Sequence, residues 1–108
     1  MDGLWTVEFG SSVGGFGGGV AVFRDGNVLG GDGTYFYIGQ YTFRENKFDA
    51  VLKSAPFIEG AESVFKTVGQ ELTLEITGVL TDENHGIAHG YLRETPGLKF
   101  GVKLTKRT

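Results

Sequence analysis

The stretch Tyr35-Phe36-Tyr37-Ile38-Gly39-Gln40-Tyr41-Thr42-Phe43 decides the fold. Tyr35, Tyr37, Gly39, Tyr41 and Phe43 fall on one face of an extended chain, and the aromatic side chains recur at every second residue around the glycine. A period of two is strand geometry, because successive Cβ atoms point to opposite sides of a pleated chain. Gly39 inside the ladder predicts a bend, or a place where a neighbouring ring lies over the backbone.

The same period continues outward in both directions. Toward the N-terminus, Trp5, Val7 and Phe9 alternate with Leu4, Thr6 and Glu8. Asp25-Gly26 stands between the apolar pairs Val22-Phe23 and Val28-Leu29, the pattern of a tight hairpin whose two central residues need positive φ. Gly30-Gly31-Asp32-Gly33 predicts a second break, and Ser11 to Gly19 predicts a loose connection, with Gly17-Gly18-Gly19 at the start of the next strand. Toward the C-terminus, Arg44-Glu45-Asn46-Lys47 is a polar turn into a strand from Phe48 to Ser54. Pro56 to Gly69 reads as a loop with one helical turn over Ala61 to Val68. Leu72, Leu74 and Ile76 alternate with Glu71, Thr73, Glu75 and Thr77; Asp82-Glu83-Asn84 is a turn, and His85 to Leu92 a strand. Thr95-Pro96-Gly97 suits a type II turn before Leu98, Phe100, Val102 and Leu104, which share an inward face. About eight short strands without a long helix predict an all-β chain, one domain over residues 1–108, closed as a small antiparallel up-and-down barrel.

Composition agrees. Of 108 residues, 19 are glycine and only 2 proline, so the glycine serves turns and strand curvature and not a collagen repeat. Hydrophobic residues make up 40% and aromatic residues 13%, enough to build a core. Ten Lys and Arg against thirteen Asp and Glu leave a net charge of −3, which gives no reason to expect direct nucleic-acid binding. There is no cysteine, hence no disulfide, thiolate metal site or thiol nucleophile. Met1-Asp2-Gly3-Leu4-Trp5 lacks a secretory pattern, and no apolar run approaches the ~20 residues of a membrane helix, so the expected location is the cytoplasm, without membrane attachment.

Catalytic and cofactor motifs are weak. Gly14-Gly15-Phe16-Gly17-Gly18-Gly19 lacks the Lys and the following helix of a phosphate loop. His85 and His89 on one strand would stand ~13 Å apart, too far to share an ion, so no metal site is expected. Ser11, Ser12, Ser54 and Ser63 lack the context of an activated nucleophile, so the chain is expected to be no enzyme and to need no cofactor. Two other features carry more. Six acids and a single base lie between Glu59 and Glu83, and Glu71, Glu75, Asp82 and Glu83 form a candidate acidic surface for a basic partner. The inward aromatic side chains Trp5, Tyr37, Tyr41, Phe43 and Phe100 line the lumen in this reading, either packing it solid, which fourteen aromatics in so short a chain favour, or leaving room for an apolar ligand.

Several ordered motifs together resemble a known family. Asp2-Gly3-Leu4-Trp5-Thr6-Val7-Glu8-Phe9, Gly18-Gly19-Val20-Ala21-Val22, Arg24-Asp25-Gly26-Asn27-Val28-Leu29-Gly30-Gly31-Asp32, Tyr37-Ile38-Gly39-Gln40-Tyr41 and Thr95-Pro96-Gly97-Leu98-Lys99-Phe100 resemble, in order and spacing, the GrlR-like family of small bacterial proteins. The resemblance implies a lipocalin- or calycin-like barrel, a homodimer, and no catalytic residues or cofactor. It also implies negative regulation of type III secretion genes by binding a helix-turn-helix transcriptional activator. The turn matching the family's acidic run is Arg44, Glu45 and Asn46, which keeps one acid and gains a base. The sequence thus points first to a non-enzymatic regulator acting through protein–protein contact, and second to a barrel that binds a small apolar molecule.

Overall fold

The computed structural model describes Met1–Thr108 and contains eight strands and no helix. They are β1 (Gly3–Ser11), β2 (Phe16–Arg24), β3 (Asn27–Gly31), β4 (Tyr35–Arg44), β5 (Lys47–Pro56), β6 (Leu72–Asp82), β7 (His85–Leu92) and β8 (Thr95–Lys106). Each pairs antiparallel with its neighbours in sequence, and β1 closes on β8 through Val7 opposite Leu104 and Phe9 opposite Val102. The fold is a closed antiparallel up-and-down barrel, so no strand edge is left unpaired. No helix is long and apolar enough to cross a membrane.

Turn chemistry explains one end of this barrel. Asp25 and Gly26 have φ of 51° and 80°, and Glu45 and Asn46 have φ of 53° and 65°. Both are two-residue turns with positive φ at both positions, the geometry whose twist matches that of the strands it joins. Glu83-Asn84 makes the third connection at this end, where both chain termini also lie. The opposite end carries the β1–β2, β3–β4 and β7–β8 connections and the long segment 57–71.

Three local expectations are corrected. Ser11–Gly19 is not a loose connection: β1 runs through Ser11 and β2 begins at Phe16, with Phe9 opposite Gly17 and Val7 opposite Gly19. A Cβ on Gly17 would stand 2.6 Å from the Phe9 ring, so the glycine there makes room for an aromatic side chain within a strand pair. The final turn falls on Arg93-Glu94 and not on Thr95-Pro96-Gly97, which belong to β8. Pairing jumps from Tyr91–Lys99 to Leu92–Thr95, a bulge where a proline without an N–H costs no ladder bond. The segment after Pro56 has no helical turn; two tight turns and a lone bridge between Glu62 and Val68 shape it, with Gly60, Lys66 and Gly69 at positive φ. Gly39 sits where β5 approaches: a Cβ would meet the Val51 carbonyl oxygen at 2.0 Å. A neighbouring backbone lies over it, not a ring.

Alternation sorts the side chains. β5 and β7 alternate outward and inward along their lengths, with Phe48, Ala50, Leu52 and Ser54 inside on β5 and Ala88 and Leu92 inside on β7. At the end of the short turns, Trp5 (0% exposed), Phe23, Tyr41 and Phe48 form a plug of edge-on rings, with Phe23 at 6.2 Å from Trp5, 5.1 Å from Tyr41 and 6.3 Å from Phe48. Trp5 donates its indole N–H to the Met1 carbonyl (2.9 Å), and Tyr41 donates its hydroxyl to Asp2 (2.9 Å), so the N-terminus straps this plug.

Candidate functional site

Above the plug the lumen is not filled. A cavity of about 290 Å³ is lined by the aliphatic side chains of Val28, Leu52, Leu74, Ile76, Val102 and Leu104, with Tyr37 and Phe100 nearer its mouth. The expectation that aromatic side chains pack the whole lumen is therefore corrected. Of the five predicted lumen residues, Tyr37 and Phe100 line the cavity, whereas Trp5 and Tyr41 belong to the plug. Phe43, at the rim of the plugged end, is 38% exposed and lines nothing. The strand pattern is right about which way these rings point but silent about their height along the barrel axis.

The mouth has its own construction. Segment 57–71 folds across it, and Phe65 enters the barrel to stack edge-on against Phe100 at 5.7 Å, beside Leu72 and Leu92. Ser11 donates its hydroxyl to the Val64 carbonyl, and the Tyr35 hydroxyl reaches the Ala61 carbonyl at 3.4 Å, so the cap is held from two sides. Within the cap, the Ser63 hydroxyl bonds Thr67 at 2.6 Å and accepts the Phe65 N–H at 3.1 Å.

Polar groups collect at this end. Asp32 accepts the N–H groups of Thr34 (2.9 Å) and Tyr35 (2.8 Å) on one oxygen and the Tyr37 hydroxyl on the other. Burial above all, then the bond to Asp32 and its charge, hold the Tyr37 phenol far above its ordinary pKa. Tyr35 is raised as well, by burial first and then by the charges of Asp32 and Glu62. Opposite Tyr37 on β5 stands Ser54, 5% exposed, whose hydroxyl makes no hydrogen bond within the protein and stays accessible from the cavity it lines. The lining includes the two carboxylates Asp32 and Glu62 but no Lys, Arg or His. No group hydrogen-bonds Ser54 Oγ, so nothing is placed to take its proton as a nucleophile requires.

The outward-facing candidates are spread apart. Glu71 precedes β6, Glu75 is within it, and Asp82 and Glu83 lie at its far end, so the four span one strand and do not meet in a cluster. Two have cationic neighbours, Lys53 with Glu71 at 3.3 Å and Arg93 with Glu75, and the His85 ring lies 2.9 Å from Asp82. Arg44, Glu45 and Asn46 form the exposed β4–β5 turn, with Arg44 and Glu45 4.0 Å apart. No three His, Asp or Glu side chains gather at one point.

Sequence reasoning considered Ser54 only as a nucleophile and Asp32 only as part of a break. A signal for Ser54 was present: a polar residue at the inward position that Phe48, Ala50 and Leu52 set by alternation. Phe65 carried no such signal, because its segment has no period. Comparison of the chain with known proteins finds no matching family model and no matching curated protein.

Proposed function

We propose that this protein binds a small apolar molecule inside its barrel. The observation that carries the reading is the cavity of about 290 Å³, closed below by the aromatic plug, walled by aliphatic and aromatic side chains, and given a few polar groups at its mouth. That is the make-up of small-molecule sites, where apolar walls supply affinity and sparse polar groups fix orientation. Exposed apolar side chains around the same mouth, Phe16 (86% exposed), Phe57 and Ile58, suit the entry of such a ligand from an apolar source. Titration with propylbenzene, followed by methyl chemical shifts, tests the reading. Saturable shifts confined to Val28, Leu52, Leu74 and Ile76 are expected; no saturable shift would overturn it.

A second reading follows the resemblance to GrlR-like regulators and has an observation in its favour. On the outer surface Val22, Leu29 and Ile38 lie directly opposite one another across β2, β3 and β4, with Val20 and Phe36 alongside. An uncharged apolar row of this kind suits a protein contact, first a second copy of the chain and then a transcriptional activator. Sedimentation tests it: a dimer that Leu29→Glu dissociates is expected, and a monomer at all concentrations would count against it.

A further inference from the structure

Resting on the reading of the cavity as a ligand site, we propose that the ligand is not an anion, has about ten non-hydrogen atoms, and carries one hydroxyl or carbonyl group held by Ser54 Oγ. Size comes from the volume. At the ~30 Å³ that a water occupies in the liquid, 290 Å³ holds about ten such units, and a packed CH₂ group is of similar size.

Polarity comes from Ser54. The Ser54 hydroxyl lines the cavity wall without a hydrogen bond from the protein, at an inward position where an alanine would fit the same alternation. Its neighbours do not satisfy it: Tyr37, directly opposite, gives its hydroxyl to Asp32, and Asp32 is occupied by Tyr37 and by two backbone N–H groups. Ser54 Oγ is thus the one inward group with a free donor and a free acceptor, suited to an alcohol or a carbonyl oxygen.

Charge comes from the lining. A carboxylate head group would lose its water, meet no cation, and face Asp32 and Glu62. An ammonium head would be drawn to the Asp32 and Glu62 carboxylates of the lining, because neutral donors on Asp32 leave its charge in place, and not to the neutral oxygen of Ser54. The anion is thus repelled and the cation held elsewhere, and the group at Ser54 is a neutral one.

A matched series tests this: propylbenzene, 3-phenylpropan-1-ol, 3-phenylpropanoate and 3-phenylpropylamine, titrated calorimetrically at about pH 8, where the acid is ionised and the amine protonated. The alcohol is expected to bind at least about tenfold more tightly than the carboxylate, because the anion does not recover its lost hydration in this lining. Ser54→Ala should weaken the alcohol about fivefold, the worth of one neutral hydrogen bond, and leave propylbenzene within about twofold. Ser54→Thr, which keeps the hydroxyl, should retain tight alcohol binding. A carboxylate that binds as well as the alcohol, amine binding that Ser54→Ala weakens, or a Ser54→Ala chain that loses alcohol and hydrocarbon equally, would overturn the inference while leaving the cavity a ligand site. If propylbenzene itself does not bind, the underlying reading fails and the inference with it.

Discussion

The two ends of the barrel are built from the same alternating strands and differ in almost everything else. At one end, short polar turns at Asp25-Gly26, Glu45-Asn46 and Glu83-Asn84 surround a plug of Trp5, Phe23, Tyr41 and Phe48. At the other, segment 57–71 lies over a cavity and Val13, Phe16, Phe57, Ile58 and Val68 are exposed. The difference comes from what occupies the inward positions. Large rings at one height meet glycine and alanine on facing strands and close the lumen. Toward the other end Val28, Leu52, Leu74, Ile76 and Val102, among rings that include Tyr37 and Phe100, leave it open. Stability is thus concentrated at one end and ligand space at the other.

The strongest way to break this division is to remove the ring at the base of the plug. Trp5→Ala should cost about 3–5 kcal/mol, a large share of what a domain of this size has, because Trp5 is fully buried and also anchors Met1. Phe65→Ala at the cap should cost less and speed ligand exchange, since Phe65 closes the mouth and not the base. Chemical denaturation measures both; equal losses would remove the contrast between the ends.

Adding volume should have opposite signs at the two heights. A Cβ on Gly78 would stand 2.4 Å from the Phe48 ring and 2.7 Å from Ala88, so Gly78→Ala should destabilise by about 1–3 kcal/mol. Leu74→Phe points into the cavity and should stabilise by about 0.5–2 kcal/mol while abolishing propylbenzene binding. Destabilisation by both would mean that the cavity wall has no slack.

Titration separates the ends further. Because the Tyr37 phenol is held above its ordinary value, the folded chain keeps a proton that the unfolded chain releases. The stability from this site is whole below about pH 10, the ordinary tyrosine value, and falls as pH rises above it. Tyr37→Phe should flatten that alkaline fall in a series of urea midpoints; an unchanged slope would remove the Asp32 pair as its source. The smallest effect belongs to the plugged end. The Asn84 N–H, then His85, holds the exposed Asp82 carboxyl below its ordinary value, so its contribution is present above that value and is lost as pH falls through the lowered one. Asp82→Asn should flatten the acid limb of the same curve slightly and leave its slope above neutrality unchanged.

Much of this architecture is legible in local pattern. The Asp25-Gly26 hairpin, the polar turn at Glu45-Asn46 and the inward faces of β1, β4, β6 and β8 follow from period and turn chemistry, both properties of adjacent residues. The loose connection expected from Ser11 and the turn expected at Thr95-Pro96-Gly97 misled because each has a strong local meaning that a partner strand overrides: pairing of Gly10 with Phe16 in one case, a bulge in the other. The acidic run from Glu71 to Glu83 was legible as charge but not as a surface, since its cationic neighbours Lys53 and Arg93 come from β5 and from the β7–β8 turn.

By itself the sequence determined an all-β chain of about eight strands that closes on itself, because a period of two, positive-φ turns and an aromatic inner face leave few other ways to bury these rings. Only the tertiary structure decided which rings share a height, that the lumen is half plug and half cavity, and that Ser54 faces that cavity without a partner. The reason is geometric. Alternation fixes the side of a strand on which a residue lies, whereas its height in the barrel depends on the register of every strand pair around the ring.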